Sequence, residues 1–417
     1  MMHYKKALLE LKKNKIKIYS ENISTENSMN RISAVNLNSP NNYPAADNTA
    51  FDGFAINSKE TKNLSKKKSL KFKIIKTLAA GDNPNIKKVP KYSAIEVMTG
   101  AIIKKPFDTI ITVEQAQFFP SQIKSKYLII NKKIKKNNFI RFAGSDFKKS
   151  EIVIKRGEII NSQHILAFKT LGIKKIMVKK KPKIVFYTTG NEISNSNKLP
   201  NWKVRNSNSY YLKSLLKNLP FDFVEKKILR DNDLYKFQNE IKKNLKSRND
   251  LILTSGAVSA GRFDFVPMII KKFKLKYSFK GAYIRPGKPL MFAKFINNKA
   301  FFGLPGNPIS SAACFKFFVL PFLYSSLGLK EEQPINAKIK NNFNKKKKFT
   351  RFIKGKLIFS KKGIAEFEIH KGQESFRIKP FTKSNSWGLF PSGKENFKKG
   401  DLIECYNSEI TNKFFFR

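Results

Sequence analysis

The chain has 417 residues, 41% of them apolar, which is enough for about two to four folded domains. Its formal net charge is +53, and its two cysteines and three scattered histidines exclude a disulfide framework and a cysteine–histidine zinc site. We find no apolar run of membrane-spanning length and no segment typical of a signal peptide, so we expect a cytoplasmic protein with no membrane association.

The positive charge is spread over the whole chain and is carried mostly by lysine. Of the 83 basic residues, 11 are Arg. Proteins that bind nucleic acid specifically concentrate charge on one face and favour Arg. The lysine excess accompanies abundant Asn, Ile and Phe, a composition that an AT-rich coding sequence imposes on any protein. We therefore expect no specific nucleic-acid partner, and keep a basic nucleic-acid-binding protein as the charge-based alternative.

The first 180 residues predict a small helical part and a mainly β part. A helix-like segment covers residues 3–17, and short β-like runs such as FKIIKTL and TIITVEQ follow it. The segment SQHILAFKTLG predicts a second helix, with Ser162 as its N-cap and Gly172 as its stop. We expect residues 1–20 and 141–180 to form a linking helical or mixed domain I, and residues 21–140 to form a mainly β domain II.

From Lys183 the pattern alternates between strands and helices. The β-like segments KIVFYTTG, FDFVEKKIL and DLILTSG alternate with the helical segments NSYYLKSLLKNLP, LYKFQNEIKKNL and DFVPMIIKKF. Such units predict a parallel sheet between two layers of helices, here a three-layer α/β domain III at residues 181–328. Short strands with turn signals then predict a small β-barrel domain IV at residues 329–417. The predicted fold class is therefore multidomain α/β plus β.

Two loops rich in proline and glycine predict an anion site. The first, RPGKP, supplies the charges of Arg285 and Lys288, and the second, GLPGNPISS, leads into an apolar helix whose free N–H groups favour an anion. A third loop, SGAVSAG, is glycine-rich after a strand, so that its backbone can approach a phosphate. The candidate binding residues of the last two loops are Ser255, Gly256, Ser259, Gly261, Pro305, Gly306, Asn307, Ser310 and Ser311.

Three carboxylates follow three of the predicted strands. They are Glu192, Asp231 and Asp264. Ligands of an open parallel sheet bind beyond the carboxyl ends of its strands, where these side chains would gather. Carboxylates beside a basic loop suit Mg²⁺, which proteins hold by one or two carboxylates together with substrate phosphates. Each could instead cap the following helix, and for Asp231 both interpretations are kept.

Taken in order, these motifs resemble the molybdopterin molybdenumtransferase family, the MoeA-type enzymes related to the E-domain of gephyrin. The resemblance covers essentially the whole chain and rests on DNTAFDGFAI, EVMTGA, IRFAGSDF, TTGNE, RNSNSYYL, TSGAVSAGRFDF, RPGKP, LPGNPISS and GQES. It implies an elongated four-domain homodimer that binds adenylylated molybdopterin, cleaves its pyrophosphate, inserts molybdate into the dithiolene and releases AMP. It also implies a divalent cation such as Mg²⁺, and an upstream molybdopterin adenylyltransferase as a partner.

The resemblance also assigns residues outside the α/β domain. It implies roles in activity for Asp52, Thr99, Arg141 and Asp146, and a polar binding position at Ser375. Within the α/β domain, the three carboxylates would serve the metal and the pterin, and the basic loop would hold molybdate or phosphate. The sequence departs from the usual family residues at four positions, namely Ala257, Arg285, Lys354 and Glu374, where Gly, Lys, Arg and Gly are usual.

Two other functions are kept beside the transferase. A pterin- or nucleotide-phosphate hydrolase without metal insertion would fit the substituted loops, and a binding or scaffold protein would fit the structural role of gephyrin-like chains. Molybdate-dependent AMP release would distinguish the transferase from both.

Overall fold

Three six-stranded sheets organise the chain. The structure is a computed structural model and describes residues 1–121, 126–217, 219–230, 233–256, 273, 276–295 and 297–409. The first sheet lies within residues 53–130, the second within residues 183–304, and the third joins residues 284–285 to strands between residues 335 and 407.

The described part of the first 180 residues has more strand than helix. Its helices are α1 (Tyr4–Lys13) and α2 (Ser162–Thr170). Its strands are β1 (Ser20–Ser24), β2 (Leu37–Asn38), β3 (Asn48–Thr49), β4 (Gly53–Ile56), β5 (Leu70–Leu78), β6 (Ser93–Val97), β7 (Thr109–Thr112), β8 (Gln117–Phe119), β9 (Tyr127–Ile130), β10 (Ile140–Arg141), β11 (Ile152–Ile154) and β12 (Lys175–Lys179). The first sheet has the order β7-β4-β6-β5-β9-β8, and β1 and β2 pair instead with β12 and β11.

The first sheet is buried on both faces because apolar side chains point to alternate sides of its strands. Phe54 and Ile56 join one apolar cluster, whereas Ala55 joins the other. The helix α2 is capped by Asn161, so the prediction of Ser162 as the cap was wrong by one residue. The Asn161 side chain accepts from the backbone N–H of His164, and the His164 ring accepts from the N–H of Asn161, which fixes the cap there.

The second sheet belongs to the predicted α/β part. Its order is β16-β13-β17-β21-β20-β18, with parallel pairing from β16 to β21. The strands of this part are β13 (Lys183–Thr188), β14 (Ile193–Ser194), β15 (Val204–Arg205), β16 (Asp222–Glu225), β17 (Leu251–Ser255), β18 (Lys276–Lys280), β19 (Ile284–Arg285), β20 (Met291–Lys294) and β21 (Ala300–Leu304). Its helices are α3 (Asn208–Leu216), α4 (Leu234–Lys246), α5 (Pro308–Cys314) and α6 (Leu320–Leu327). The predicted helix DFVPMIIKKF lies outside the described residues, except for Phe273.

The far edge of this sheet is antiparallel, which the sequence did not predict. Strand β20 runs antiparallel to both β18 and β21. Residues 281–290 and 295–299 connect these strands, and segments so short cannot form the crossover that parallel strands need. The basic loop RPGKP therefore lies within a strand-to-strand connection rather than before a helix.

One helical stretch forms the centre of the core. A π-helical segment at Phe315–Val319 joins α5 to α6, so the stretch Pro308–Leu327 is continuous. Among the described residues it is long and apolar enough to cross a bilayer, with a mean hydropathy of 1.3, so the expectation that no run reaches that length was wrong. However, 89% of its most apolar window is buried inside the protein, and we interpret it as a core helix.

The last part of the chain is a small β-barrel. Its strands are β22 (Ile335–Ile339), β23 (Phe343–Asn344), β24 (Thr350–Phe359), β25 (Ala365–Ile369), β26 (Ser386–Phe390), β27 (Asn396–Phe397) and β28 (Leu402–Asn407), and its helix is α7 (Lys379–Thr382). The order β24-β25-β22-β28-β26 closes because β24 also pairs with β26. The predicted class, α/β plus β with a C-terminal barrel, is thus confirmed.

Aromatic packing joins the barrel to the α/β core. Phe317 of the core helix stacks on Phe352 of the barrel, with ring centroids 4.0 Å apart. Trp387 and Leu389 of the barrel belong to the same buried cluster as the core helix. Stacked aromatic pairs add about 0.5–1.5 kcal/mol beyond the area they bury. This shared core holds the barrel loops in a defined position over the sheet.

Candidate functional site

The carboxyl ends of three parallel strands meet at one edge of the second sheet. Thr188 is paired with Ser255, and Ser255 with Leu304, so β13, β17 and β21 end at the same level. The backbone N–H of Thr189 donates to the carbonyl of Ser255 at 3.0 Å, and that of Gly256 donates to the carbonyl of Leu304 at 3.0 Å. Gly256, directly after β17, therefore lies beside the end of β21, where the second glycine loop begins.

Two glycines leave bare backbone between these loops. Gly256 has φ +99°, and a Cβ there would lie 2.7 Å from the carbonyl oxygen of Thr189. A Cβ on Gly306 would meet no atom nearer than the Cα of Gly256, at 3.7 Å. Neither residue carries a side chain, so a ligand can approach the backbone of this pair closely.

A buried asparagine joins the two loops and was not among the predicted site residues. Asn208 stands at the start of α3, and its Nδ2 donates to Ser255 Oγ at 2.5 Å and to the carbonyl of Gly306 at 2.8 Å. This connection places the sequence motif RNSNSYYL at the site, because Asn208 of the motif sets the spacing of the two loops. The motif marked the segment but gave no indication of these partners.

Glu192 lies in the exposed loop after β13, and an arginine from the next strand end fixes that loop. Arg230 Nη1 donates to the carbonyls of Gly190, Asn191 and Ile193 at 3.2, 3.1 and 2.8 Å. Four predicted site residues lie outside the described residues, namely Asp231, Ser259, Gly261 and Asp264. Within the described ranges, no group of three His, Cys, Asp or Glu gathers as a metal site would need.

The basic loop packs on the helix that follows the second glycine loop. A Cβ on Gly287 would lie 3.6 Å from the carbonyl of Ser310 and would collide with Cys314 Sγ, so the loop contacts α5 closely. Lys288 is exposed at this loop.

The guanidinium of Arg285 lies beside a second arginine. It is placed over the Phe349 ring, 4.6 Å from its centroid, and Arg285 is paired with Arg351 in the third sheet. Arg351 Nε is buried without a hydrogen-bond partner among the described residues, and burial and the charge of Arg285 lower the pKa of the Arg351 guanidinium. Two neighbouring cations at this junction create a positive potential that favours an anion.

The remaining residues of the second loop differ in exposure. Gly306 and Asn307 are exposed, whereas Ser310 and Ser311 are buried in the first turn of α5. Asn307 Nδ2 donates to Ser375 Oγ at 3.3 Å, so a barrel loop reaches the edge of the sheet. Pro305 is buried at the end of β21. Asn307 and Ser375 are thus brought together, while the two serines of the helix are buried in the protein.

A second group of predicted residues lies in the N-terminal part. Asp52 Oδ1 accepts from the backbone N–H of Thr99 at 2.6 Å and from its hydroxyl at 2.8 Å. Both hydrogen bonds lower the pKa of the exposed Asp52 carboxyl, and the backbone hydrogen bond has the larger effect. An exposed carboxylate fixed in this way stays ionised and oriented toward solvent.

Arg141 and Asp146 occupy the loop beside that pair. Arg141 Nη2 donates to the carbonyl of Ala50 at 3.4 Å, and the N–H of Asp146 donates to the carbonyl of Tyr43 at 3.1 Å. Asp47, which the sequence did not single out, accepts from the N–H of Ala143 at 2.8 Å and holds the same loop. In the described structure, the hydrogen bonds of this group stay within the first 180 residues.

Comparisons with known proteins cover nearly the entire chain. Residues 2–172 match the family model described as MoeA N-terminal region (domain I and II), and residues 186–325 match that described as probable molybdopterin binding domain. The chain is 31% identical to a molybdopterin molybdenumtransferase of Staphylococcus epidermidis, over 98% of this chain and 96% of that protein. It is 30% identical to one of Staphylococcus aureus, over 93% and 91%.

Solved structures show the same fold. Two crystal structures of the molybdopterin biosynthesis moeA protein from Pyrococcus horikoshii superpose with TM-scores of 0.85 and 0.79. Each is 24% identical to this chain, and the first alignment covers 99% of this chain and 100% of the other, the second 97% and 99%.

Proposed function

Because the chain belongs to the molybdopterin molybdenumtransferase family, we propose that it inserts molybdate into adenylylated molybdopterin and releases AMP. In the reaction, water cleaves the phosphoanhydride bond of the adenylylated pterin to give AMP and the pterin phosphate. The two dithiolene sulfurs bind molybdenum in place of an oxygen of molybdate, which leaves as water with the two thiol protons. The enzyme therefore has to bind a phosphorylated pterin and a tetrahedral oxyanion in one place.

The observation that carries this proposal is the bare backbone between Gly256 and Gly306 at the carboxyl edge of the sheet. Asn208 holds these two loops together, and the basic loop packs on the helix that follows one of them. Exposed glycine backbone beside positive charge is a surface on which proteins bind phosphate and other oxyanions. We assign the phosphate part of the pterin to this surface, together with Ser255, Pro305 and the predicted Ser259 and Gly261.

We assign molybdate to the positive side of the same site. Arg285 and Lys288 are exposed and supply the charge, and Asn307 with Ser375 supplies polar groups from the loop opposite. Fixed charges at the site stabilise the negative charge that develops as the phosphoanhydride bond breaks. Ser310 and Ser311, which are buried, would support this loop from within the helix.

We further propose that Mg²⁺ takes part, held by Glu192 with Asp231 and Asp264. The exposed Glu192 carboxylate, on a loop fixed by Arg230, is a hard oxygen ligand of the kind that Mg²⁺ prefers. Substrate phosphates would provide the remaining oxygens, as they do at other protein sites of Mg²⁺. The bound cation would neutralise phosphate charge during cleavage.

The remaining assignments follow from the family resemblance. We propose a homodimer in which the group formed by Asp52, Thr99, Arg141 and Asp146 in one protomer faces the strand ends of its partner. We also propose the domain limits 1–20 with 141–180, 21–140, 181–328 and 329–417, a cytoplasmic location, and an upstream molybdopterin adenylyltransferase as the source of the substrate.

The test is AMP release by the purified protein from adenylylated molybdopterin with Mg²⁺, measured by chromatography with and without molybdate. We expect release that depends on molybdate. Equal release without molybdate would support the hydrolase instead, and absence of release would refute the proposal.

A variant tests the assigned surface. In Gly306→Ala the new methyl group has 3.7 Å of clearance, so the protein should fold and melt like the wild type. It would nevertheless fill the space between the loops, and displacement of bound substrate by about 1 Å lowers turnover by roughly 100-fold. Full activity in Gly306→Ala would show that substrate does not approach this backbone.

A further inference from the structure

One buried lysine holds an entire loop of the barrel. Lys354 lies on β24 and is 1% exposed. Its Nζ donates three hydrogen bonds to backbone carbonyls of a single loop, those of Gly372 at 2.9 Å, Glu374 at 3.1 Å and Arg377 at 2.9 Å. An ammonium group has three hydrogens, so all of its donors are used within the protein.

The same loop is also tied to the backbone of Lys354. The N–H of Lys354 donates to Gln373 Oε1 at 3.0 Å, and Gln373 Nε2 donates to the carbonyl of Lys354 at 2.8 Å. The loop 372–377 therefore folds around a single residue, through its side chain and both of its backbone polar groups.

This loop carries Ser375 to the edge of the α/β sheet. Ser375 Oγ accepts from Asn307 Nδ2 at 3.3 Å, and Asn307 belongs to the second glycine loop. Just after the loop, the Phe381 ring lies 5.9 Å from that of Tyr211 on α3 and 5.1 Å from that of Trp387 in the barrel. The segment is thus held at Ser375 and again at Phe381, and Lys354 holds carbonyls on both sides of Ser375.

We propose that Lys354 is a positioning residue, which shapes the loop 372–377 so that the Ser375 hydroxyl contributes to binding a tetrahedral oxyanion beside Asn307. The inference rests on the proposed function for the identity of that oxyanion, molybdate. Lys354 does not contact the anion itself, because its three donors are directed at carbonyls of the loop. Its effect on the anion therefore passes through Ser375.

A double-mutant cycle tests this dependence. The variants are Lys354→Met, Ser375→Ala and the double variant, and the probe is molybdate alone, titrated by calorimetry. We expect each single variant to weaken molybdate binding about tenfold, which is the size of one hydrogen bond to a charged group. The double variant should also lose about tenfold rather than about 100-fold, since coupled residues are not additive. Additive losses would overturn the proposal.

Proteolysis provides a readout that does not need activity. Arg377 is exposed in the loop, so trypsin cleavage after it reports whether the loop is held. Cleavage should accelerate at least about tenfold in Lys354→Met, since three hydrogen bonds are lost. It should stay at the wild-type rate in Ser375→Ala and in Lys356→Met, where the exposed lysine lies on the same strand. Wild-type cleavage in Lys354→Met would contradict the inference.

Two further outcomes separate the inference from the proposed function. Coupled molybdate binding without AMP release would refute the proposed activity and leave the positioning role intact, whereas a wild-type protein that does not bind molybdate would overturn the role assigned to Ser375. If Lys354→Met does not fold, Lys354→Gln replaces it, because a glutamine amide has two hydrogens and can satisfy at most two of the three carbonyls.

Discussion

Gly256 is a position where a single methyl group should disturb the site strongly. In Gly256→Ala, the residue keeps φ +99° only at a cost of about 1–2 kcal/mol, because a Cβ is unfavourable in that region. The new atom would also lie 2.6 Å from Thr189 Oγ1 and 2.7 Å from the Thr189 carbonyl oxygen.

Thr189 cannot move away easily. It is 3% exposed, and its N–H and its hydroxyl both donate to the carbonyl of Ser255, at 3.0 and 3.1 Å. Overpacking of this kind costs about 1–3 kcal/mol. The two terms together predict a loss of about 2–5 kcal/mol in the free energy of unfolding.

Thermal unfolding followed by circular dichroism measures this effect. A loss of that size should lower Tm by about 5–15 °C for an α/β unit of this length. Gly363→Ala is the control for conformation alone, since Gly363 has φ +73° but no atom within 4 Å of a new Cβ. Gly306→Ala is the control for position, and should melt within about 2 °C of the wild type. A Gly256→Ala protein as stable as Gly363→Ala would show that the close contact with Thr189 is absent and would refute the loop geometry.

Two other variants test contacts in the two halves of the site. Asn208→Ala removes both hydrogen bonds between the glycine loops and should lower the free energy of unfolding in urea by about 1–3 kcal/mol. In the control Ser209→Ala, the buried hydroxyl that is removed has no partner among the described residues, so stability should change by less than about 0.5 kcal/mol. Equal losses in the two variants would contradict the bridging role of Asn208. In the N-terminal half, Thr99→Val removes the hydroxyl donor, so the pKa of Asp52 should rise toward its ordinary value in an NMR titration. The control Thr77→Val removes a hydroxyl bonded to Glu96 and should leave the pKa of Asp52 unchanged. Because the pKa of Asp52 is lowered in the folded protein, the ionised carboxylate contributes its full stabilisation above the ordinary Asp pKa and loses it as pH falls through the lowered pKa. Thr99→Val should therefore move this loss of stability to higher pH.

The sequence predicted the strands of the site better than the contacts between them. The apolar runs that contain Val185 and Leu253 are long enough to identify buried strands, and the loops that follow them were therefore located correctly. Periodicity gave the fold class, which the structure confirms. It did not give the antiparallel edge, because strand direction there depends on the length of a connection rather than on the residues of the strands.

The residues that hold the loops could not be predicted in the same way. Asn208, Arg230 and Lys354 each donate to backbone carbonyls that lie far along the chain or in another part of the fold. Every residue has a carbonyl, so the acceptor leaves no mark in the sequence. Lys354 was noted only as a departure from the usual Arg, and its three partners became visible once the loop was folded around it.

Lysines of the interior show how such a basic chain satisfies its charges. With 83 basic and 30 acidic residues, most cations have no acidic partner to pair with. The buried Lys299 and Lys354 each donate to three carbonyls, so their charge is used inside the fold and is not available to a ligand. Net charge is therefore a poor guide to the binding site of this protein. Arg285 beside Arg351 is the more specific signal, because the buried Nε of Arg351 lacks an acceptor among the described residues where the basic loop pairs with the barrel.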